Sequence, residues 1–362
     1  MEQIKKASEL LIKHYKKYPK MQPRDLFKYL FQSAFGCEHL VADGSAVLDY
    51  IRREYETVSK SAPSLIEALD GEYSRVHLSV LNGGLKPETL AKLFLLSAKK
   101  EEEGIASLEK KLEVAKRLVA EGDLPFDLSE FEKAADEWRS AGYPAVRHSD
   151  EFRSEYRPAY RVISNRYVNF LELFKKIDGL LDKGRAVIAV EGGSASGKTT
   201  LSDMLREIYG CNVLHMDDFF LRPEQRTPER FAQIGGNIDR ERFFEEVVLS
   251  LTSGDTIRYR PFDCHTQTLG EEITVAPGGL TVVEGVYSTH PSFGRYFDIS
   301  VFLDISAERQ KQRILKRNSP QFANRFFNEW IPLENVYFDG TDIKKRSDLI
   351  INVDASNKHT YE

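Results

Sequence analysis

The chain has 362 residues, with 51 Lys and Arg against 56 Asp and Glu, a net charge of −5. At about 150 residues per domain, that length predicts two domains, each able to bury its own core. A hydrophobic content of 41% with 30% charged residues excludes a disordered chain, and the slight acidity argues against a broad nucleic-acid surface.

In chain order, the first 180 residues read as mostly helix. From Glu2, the residues Ile4, Leu10, Leu11 and Tyr15 recur at helical spacing. Pro23 suits a first helical turn, with Leu26, Tyr29, Leu30 and Phe31 following. Residues 87–103 and 105–120 predict two long helices, with Glu101, Glu102 and Glu103 at their junction. Asp127 or Ser129 is placed to cap a helix through Trp138, and residues 165–181 predict a last amphipathic helix. Cys37 and His39 lie close together, but one pair is too few for structural zinc. The run from Tyr143 to Arg161 is rich in Arg and Tyr. It suits a domain interface first and phosphate or carboxylate binding second.

The pattern changes at Asp182-Lys183-Gly184. Beyond it, short aliphatic runs alternate with helical stretches. Strands are predicted at Ala186–Val190, Asn212–His215, Leu280–Val283, Ile299–Leu303 and Leu349–Val353, and helices at 198–209, 239–251 and 306–317. That alternation predicts an α/β domain with a parallel sheet. The expected division is therefore a mostly helical domain over 1–182 and an α/β domain over 183–362. The longest aliphatic run is too short to span a membrane, and the first residues show no signal-peptide core. Cys37, Cys211 and Cys264 are odd in number and widely spaced, which fits a reducing cytoplasm.

The strongest signal is Gly192-Gly193-Ser194-Ala195-Ser196-Gly197-Lys198-Thr199, followed by Thr200. It matches G-x-x-x-x-G-K-[ST] between a predicted strand and a predicted helix. Glycines let successive N–H groups turn inward around phosphate oxygens, and a helix start adds its positive dipole end. Lys198 is then expected to reach the β and γ phosphates of ATP, and the Thr199 hydroxyl to ligate Mg²⁺.

Three further segments bear on the reaction. Asp217 and Asp218 follow the second strand, where ligand crevices open in such sheets, and a carboxylate there suits the base role toward an attacking hydroxyl. Glu284 ends a hydrophobic strand, a position that suits Mg²⁺ or its water shell. Arg309, Lys311, Arg313, Lys316 and Arg317 crowd one predicted helix, and spacings of three and four give it a cationic face for phosphates.

Together these segments resemble the uridine kinase and phosphoribulokinase group of P-loop kinases over about residues 184–362. Asp217-Asp218-Phe219-Phe220 also looks like nicotinamide riboside kinases. The resemblance implies Asp217 as base, with Asp217 and Glu284 near the metal. It implies Asp239 as a ribose ligand, and Arg313 and Arg317 as lid residues. It also implies a substrate side formed by Asp218, Phe220, Tyr259, Phe262, Asp263 and His265. The sequence departs from that group in having Phe220 where tyrosine is common, and His265 does not align cleanly with the base-selecting histidine. The run Arg325–Tyr337, with Trp330-Ile331-Pro332-Leu333, is expected to pack the lid base against the sheet, and Glu334 and Tyr337 are candidates to face the pocket.

The expected protein is a cytoplasmic ATP- and Mg²⁺-dependent kinase of a nucleoside such as uridine. Its alternatives are a kinase of nicotinamide riboside, pantothenate or another sugar-like alcohol, or a regulatory P-loop NTPase with the helical domain as effector. A GTPase is disfavoured because Asn357-Lys358 continues with His359 and Thr360 rather than into N-K-x-D. The partner expected is a small molecule, with neither nucleic acid nor membrane, and a homo-oligomer is compatible with the sequence.

Overall fold

The computed structural model describes residues 2–36, 44–58, 64–69, 72–98 and 101–354. The Cys37–His39 pair and the Asn357–Lys358 step lie outside these residues. The chain divides into two compact units between Lys176 and Ile177. That division falls ahead of Asp182, inside the helix Leu171–Leu181.

The N-terminal unit is built from helices and a three-stranded antiparallel sheet, β1 (Ile66–Ala68), β2 (Tyr73–His77) and β3 (Tyr160–Ser164), in that order. Leu26, Phe27, Phe31, Phe131 and Trp138 form its core, with Phe27 stacked on Trp138 at 5.1 Å. Asp127 caps the helix Leu128–Ser140 by accepting from Glu130 N at 2.9 Å. The helix expected over 87–103 stops at Leu96, the next spans Glu101–Ala120, and residues 165–181 form two helices, Asn165–Val168 and Leu171–Leu181.

This sheet escapes a reading by hydrophobic alternation because its strands bury polar side chains. Arg75 on β2 is 2% exposed and gives Nε and Nη2 to Gln32 Oε1 at 3.0 and 2.9 Å. Its Nη1 faces Glu67 at 3.3 Å, and Glu67 also meets His14 Nδ1 at 2.9 Å. Asp25 accepts from Ser149 N and lies 2.9 Å from His148 Nδ1. The Arg- and Tyr-rich run is therefore spent largely inside this unit: His148 meets the Tyr160 hydroxyl at 2.7 Å, and buried Arg161 pairs with Glu54 at 2.8 Å.

In the C-terminal unit the described residues hold a five-stranded parallel sheet. Its strands are β4 (Ala186–Glu191), β5 (Asn212–His215), β10 (Leu280–Glu284), β11 (Ile299–Asp304) and β12 (Leu349–Asn352). Two small hairpins intervene in sequence, one pairing β6 (Ile257–Tyr259) with β9 (Ile273–Val275), the other pairing β7 (Phe262–Asp263) with β8 (Thr268–Leu269). The order across the large sheet is β12-β11-β4-β10-β5. β4 and β10 are buried along their whole length, as central parallel strands covered on both faces are. The chain runs from β4 to the β5 edge and crosses back from β10 to β11 on the other side of β4, so the carboxyl end of β4 marks the crevice where such sheets bind ligands. The stretch 239–251 is helical but carries a π-turn at Phe244–Val248. No helix among the described residues is long and apolar enough to cross a membrane.

Candidate active site

β4 ends in Glu191, and the chain turns at once. Gly192 has a φ of +142°, and a Cβ there would stand 2.7 Å from Leu303 O, so only glycine passes. The loop closes at Gly197, the N-cap of the helix Lys198–Tyr209. The leading N–H groups of that helix, from Lys198, Thr199 and Thr200, have no acceptor within it. Lys198 Nζ folds back onto Gly192 O at 2.8 Å and Gly193 O at 3.1 Å. The Ser196 hydroxyl is buried with no hydrogen-bond partner among the described residues. Backbone donors, an orphaned buried hydroxyl and an ammonium converge here, and that donor set fits a polyphosphate.

Arg313 Nη1 donates to Ala195 O and Ser196 O, each at 3.0 Å, and so braces the loop from the helix Ala307–Arg317. Arg317, one turn on, is exposed. Trp330 does not pack the lid base against the sheet. It joins a separate cluster of Ile314, Ala323 and Phe326 that also includes Ala195 of the loop. Tyr337 alone of that run reaches the main core.

The acids stand at neighbouring strand ends. Glu284 on β10 is the register partner of His215 on β5. Its Oε1 accepts the Thr199 hydroxyl at 3.1 Å and lies 2.7 Å from His215 Nδ1. The hydrogen bond to Glu284 is the main cause that raises the His215 pKa above its usual value. Asp217 lies in the short turn Met216–Phe219 directly after β5. Its side chain opens to solvent, yet protein crowds it on the other sides. That partial desolvation, with repulsion from Glu284 and Asp218 and against attraction from Lys198, raises its pKa. Among the described residues no three His, Cys, Asp or Glu side chains gather into a metal cage. The oxygen pair of Thr199 and Glu284 fits Mg²⁺, a cation that keeps most of its shell for water and phosphate.

The structure separates the substrate-side residues into several roles. Asp218 is held by the Tyr259 hydroxyl at 3.0 Å. Phe262 is 5% exposed and packs in the core, while Phe220 is half-buried and bridges to Ile238. Asp263 takes the His265 N–H at 2.7 Å in the hairpin turn, which leaves both as turn residues. Asp239 is 2% exposed and already engaged within the protein. It accepts from Gln225 Nε2 at 2.9 Å and caps Arg242 N at 3.2 Å.

Two residues of this region, His215 and Glu191, escaped the sequence reading. His215 has no motif of its own, and only the strand register brings it to Glu284. Glu191 is fully buried beneath the loop and accepts from the N–H groups of Gly192 at 3.1 Å and Thr289 at 3.2 Å and from the Tyr337 hydroxyl at 3.1 Å. Burial, outweighing these donors, pushes its pKa up to about 7. Glu334, a pocket candidate in the run after the lid, contacts the loop itself.

No protein-family profile matches the chain. A curated uridine kinase from Staphylococcus haemolyticus is 25% identical over 187 residues, covering 48% of this chain and 89% of that protein. One from Staphylococcus aureus is 23% identical over 191 residues, covering 49% and 91%. A solved structure described as a possible uridine kinase from Bacillus stearothermophilus is 23% identical with a TM-score of 0.36, and it covers 50% of this chain and 99% of its own. Over about half its length the chain is thus similar to uridine kinases, and its C-terminal unit has the P-loop kinase fold.

Proposed function

We propose that this chain transfers the γ-phosphoryl group of ATP to a hydroxyl of a small molecule, with the ribose 5′-hydroxyl of a nucleoside such as uridine as the leading acceptor. The supporting observation is the convergence of three parts at the carboxyl ends of β4, β10 and β5: the phosphate loop, the Thr199–Glu284 pair and the open carboxylate of Asp217. In this reading Lys198 leaves the loop carbonyls for the phosphates. Asp217 orients the acceptor hydroxyl and takes its proton, and a raised pKa suits a base that must hold that proton. Arg313 keeps the loop in shape. Mg²⁺, held by Thr199 and the Glu284 side, supplies neutralisation of phosphate charge. Positioning and electrostatics carry most of the rate in such transfers.

ADP release by the full chain with ATP and Mg²⁺ tests this reading. The panel is uridine, cytidine, adenosine, nicotinamide riboside and pantothenate. Turnover stimulated by uridine is expected. Stimulation by another alcohol alone reassigns the acceptor, and turnover indifferent to every alcohol sinks phosphoryl transfer in favour of an NTPase.

A further inference from the structure

Glu334 stands 140 positions from Ser194 in sequence, yet its Oε2 accepts the Ser194 N–H at 2.9 Å. Its other oxygen accepts the Ser194 hydroxyl. The side chain is 5% exposed, and Oε2 comes within 3.5 Å of where a Cβ on Gly193 would be. Three residues further along the same helix, the Tyr337 hydroxyl reaches Glu191 Oε2 at 3.1 Å. The spacing puts both side chains on one helical face. The helix Ile331–Thr341 thus grips the segment Glu191–Ser194 at both ends. Lys198 attracts the Glu334 carboxylate and Asp217 repels it.

A carboxylate at this position is chemically the same kind of partner as a phosphate oxygen, since both are anionic acceptors for loop donors. One N–H cannot serve both fully, and the two anions repel at close range. We propose that Glu334 is a built-in competitor of the nucleotide: its carboxylate holds the Ser194 donors until phosphate oxygens take them, and the helix Ile331–Thr341 then loses its grip on the loop. This rests on the reading of the loop as a nucleotide site. The consequence is a ground state in which the loop is kept shaped by an internal anion, at the expense of nucleotide affinity.

The test uses calorimetric binding of ATP to the full chain, wild type against Glu334→Gln and Glu334→Ala. Removing the charge is expected to tighten ATP binding by about tenfold, a shift typical of one relieved like-charge contact. A second measurement needs no Glu334 variant. In a Trp138→Phe background, Trp330 stands directly before the gripping helix and is the remaining tryptophan, so ATP should change its emission. Unchanged or weaker ATP affinity in a folded Glu334→Gln variant overturns the competitor role. So does a Trp330 signal that ignores saturating ATP. A wild-type chain that binds neither ATP nor inorganic triphosphate overturns the nucleotide reading itself, and the proposal with it.

Discussion

His215 and Glu284 face each other across paired parallel strands, and His215 Nδ1 lies 2.7 Å from Glu284 Oε1. The same oxygen accepts the Thr199 hydroxyl. One carboxylate therefore ties the helix after the phosphate loop to the strand that leads to Asp217. The histidine orients the carboxylate that the proposed function gives to Mg²⁺.

Replacing His215 with alanine should lower kcat by about tenfold or more, the usual effect of losing such an orienting partner. ATP affinity measured without Mg²⁺ should stay near the wild-type value, while the Mg²⁺ concentration for half-maximal rate rises. His215→Gln, which can still donate toward Glu284, should recover part of the loss. A Mg²⁺ titration curve superimposable on wild type would remove the orienting role.

Asp217→Asn keeps the shape of the turn after β5 and removes the proton acceptor. Turnover should fall by about 10²- to 10⁴-fold, the range for a lost general base. ATP binding should survive, because the loop donors and Lys198 are untouched. The rate of the wild type should also rise with pH through the raised pKa of Asp217, since only the ionised form accepts a proton. Near-normal turnover in the variant would move the base role to another group.

The N-terminal unit should lose stability in mild acid. Burial pulls His14 and His148 down to about 4, against hydrogen bonds to Glu67 and Asp25. Burial alone would raise Asp25, but hydrogen bonds from His148, Ser149 and Gln22 N overcome it and bring its pKa down to about 2. A histidine with a depressed folded pKa binds its proton better when unfolded, so stability drains away as pH falls from 6.5 toward 4. Each imidazole contributes up to about 3 kcal/mol of that loss, at about 1.4 kcal/mol per pKa unit. Asp25 adds its share only below its ordinary carboxyl range, as pH falls toward about 2. Urea midpoints at pH 7 and 4.5, followed by Trp138 fluorescence in a Trp330→Phe background, measure this. The midpoint should drop on acidification, and less so in His148→Gln. A flat profile in the parent would contradict the neutral buried histidines.

The phosphate loop was legible because its chemistry is local. Gly192, Gly197, Lys198 and Thr199 shape one turn and one helix start, and the strand before them is an unbroken aliphatic run. Asp217 and Glu284 were legible for a related reason, as each ends a strand and strand ends face the crevice. The N-terminal sheet was not legible, because β2 and β3 bury Arg75 and Arg161, and hydrophobic alternation is blind to an inward arginine. For Asp239 and Asp263 the residue pattern leaves two uses open, because an acid before a helix or in a turn looks the same whether it serves substrate or backbone. The structure adds the backbone partners, Arg242 N for Asp239 and His265 N for Asp263.

The sequence by itself determined the P-loop, the alternation of strand and helix around it and the acids at the strand ends, since short-range backbone geometry and periodicity encode all three. Tertiary structure alone decided which side chains meet at the loop. His215 reaches Glu284 through parallel register, and Glu334 reaches Ser194 across 140 positions. Contacts of that separation arise from packing one element on another, which no local pattern in the chain records.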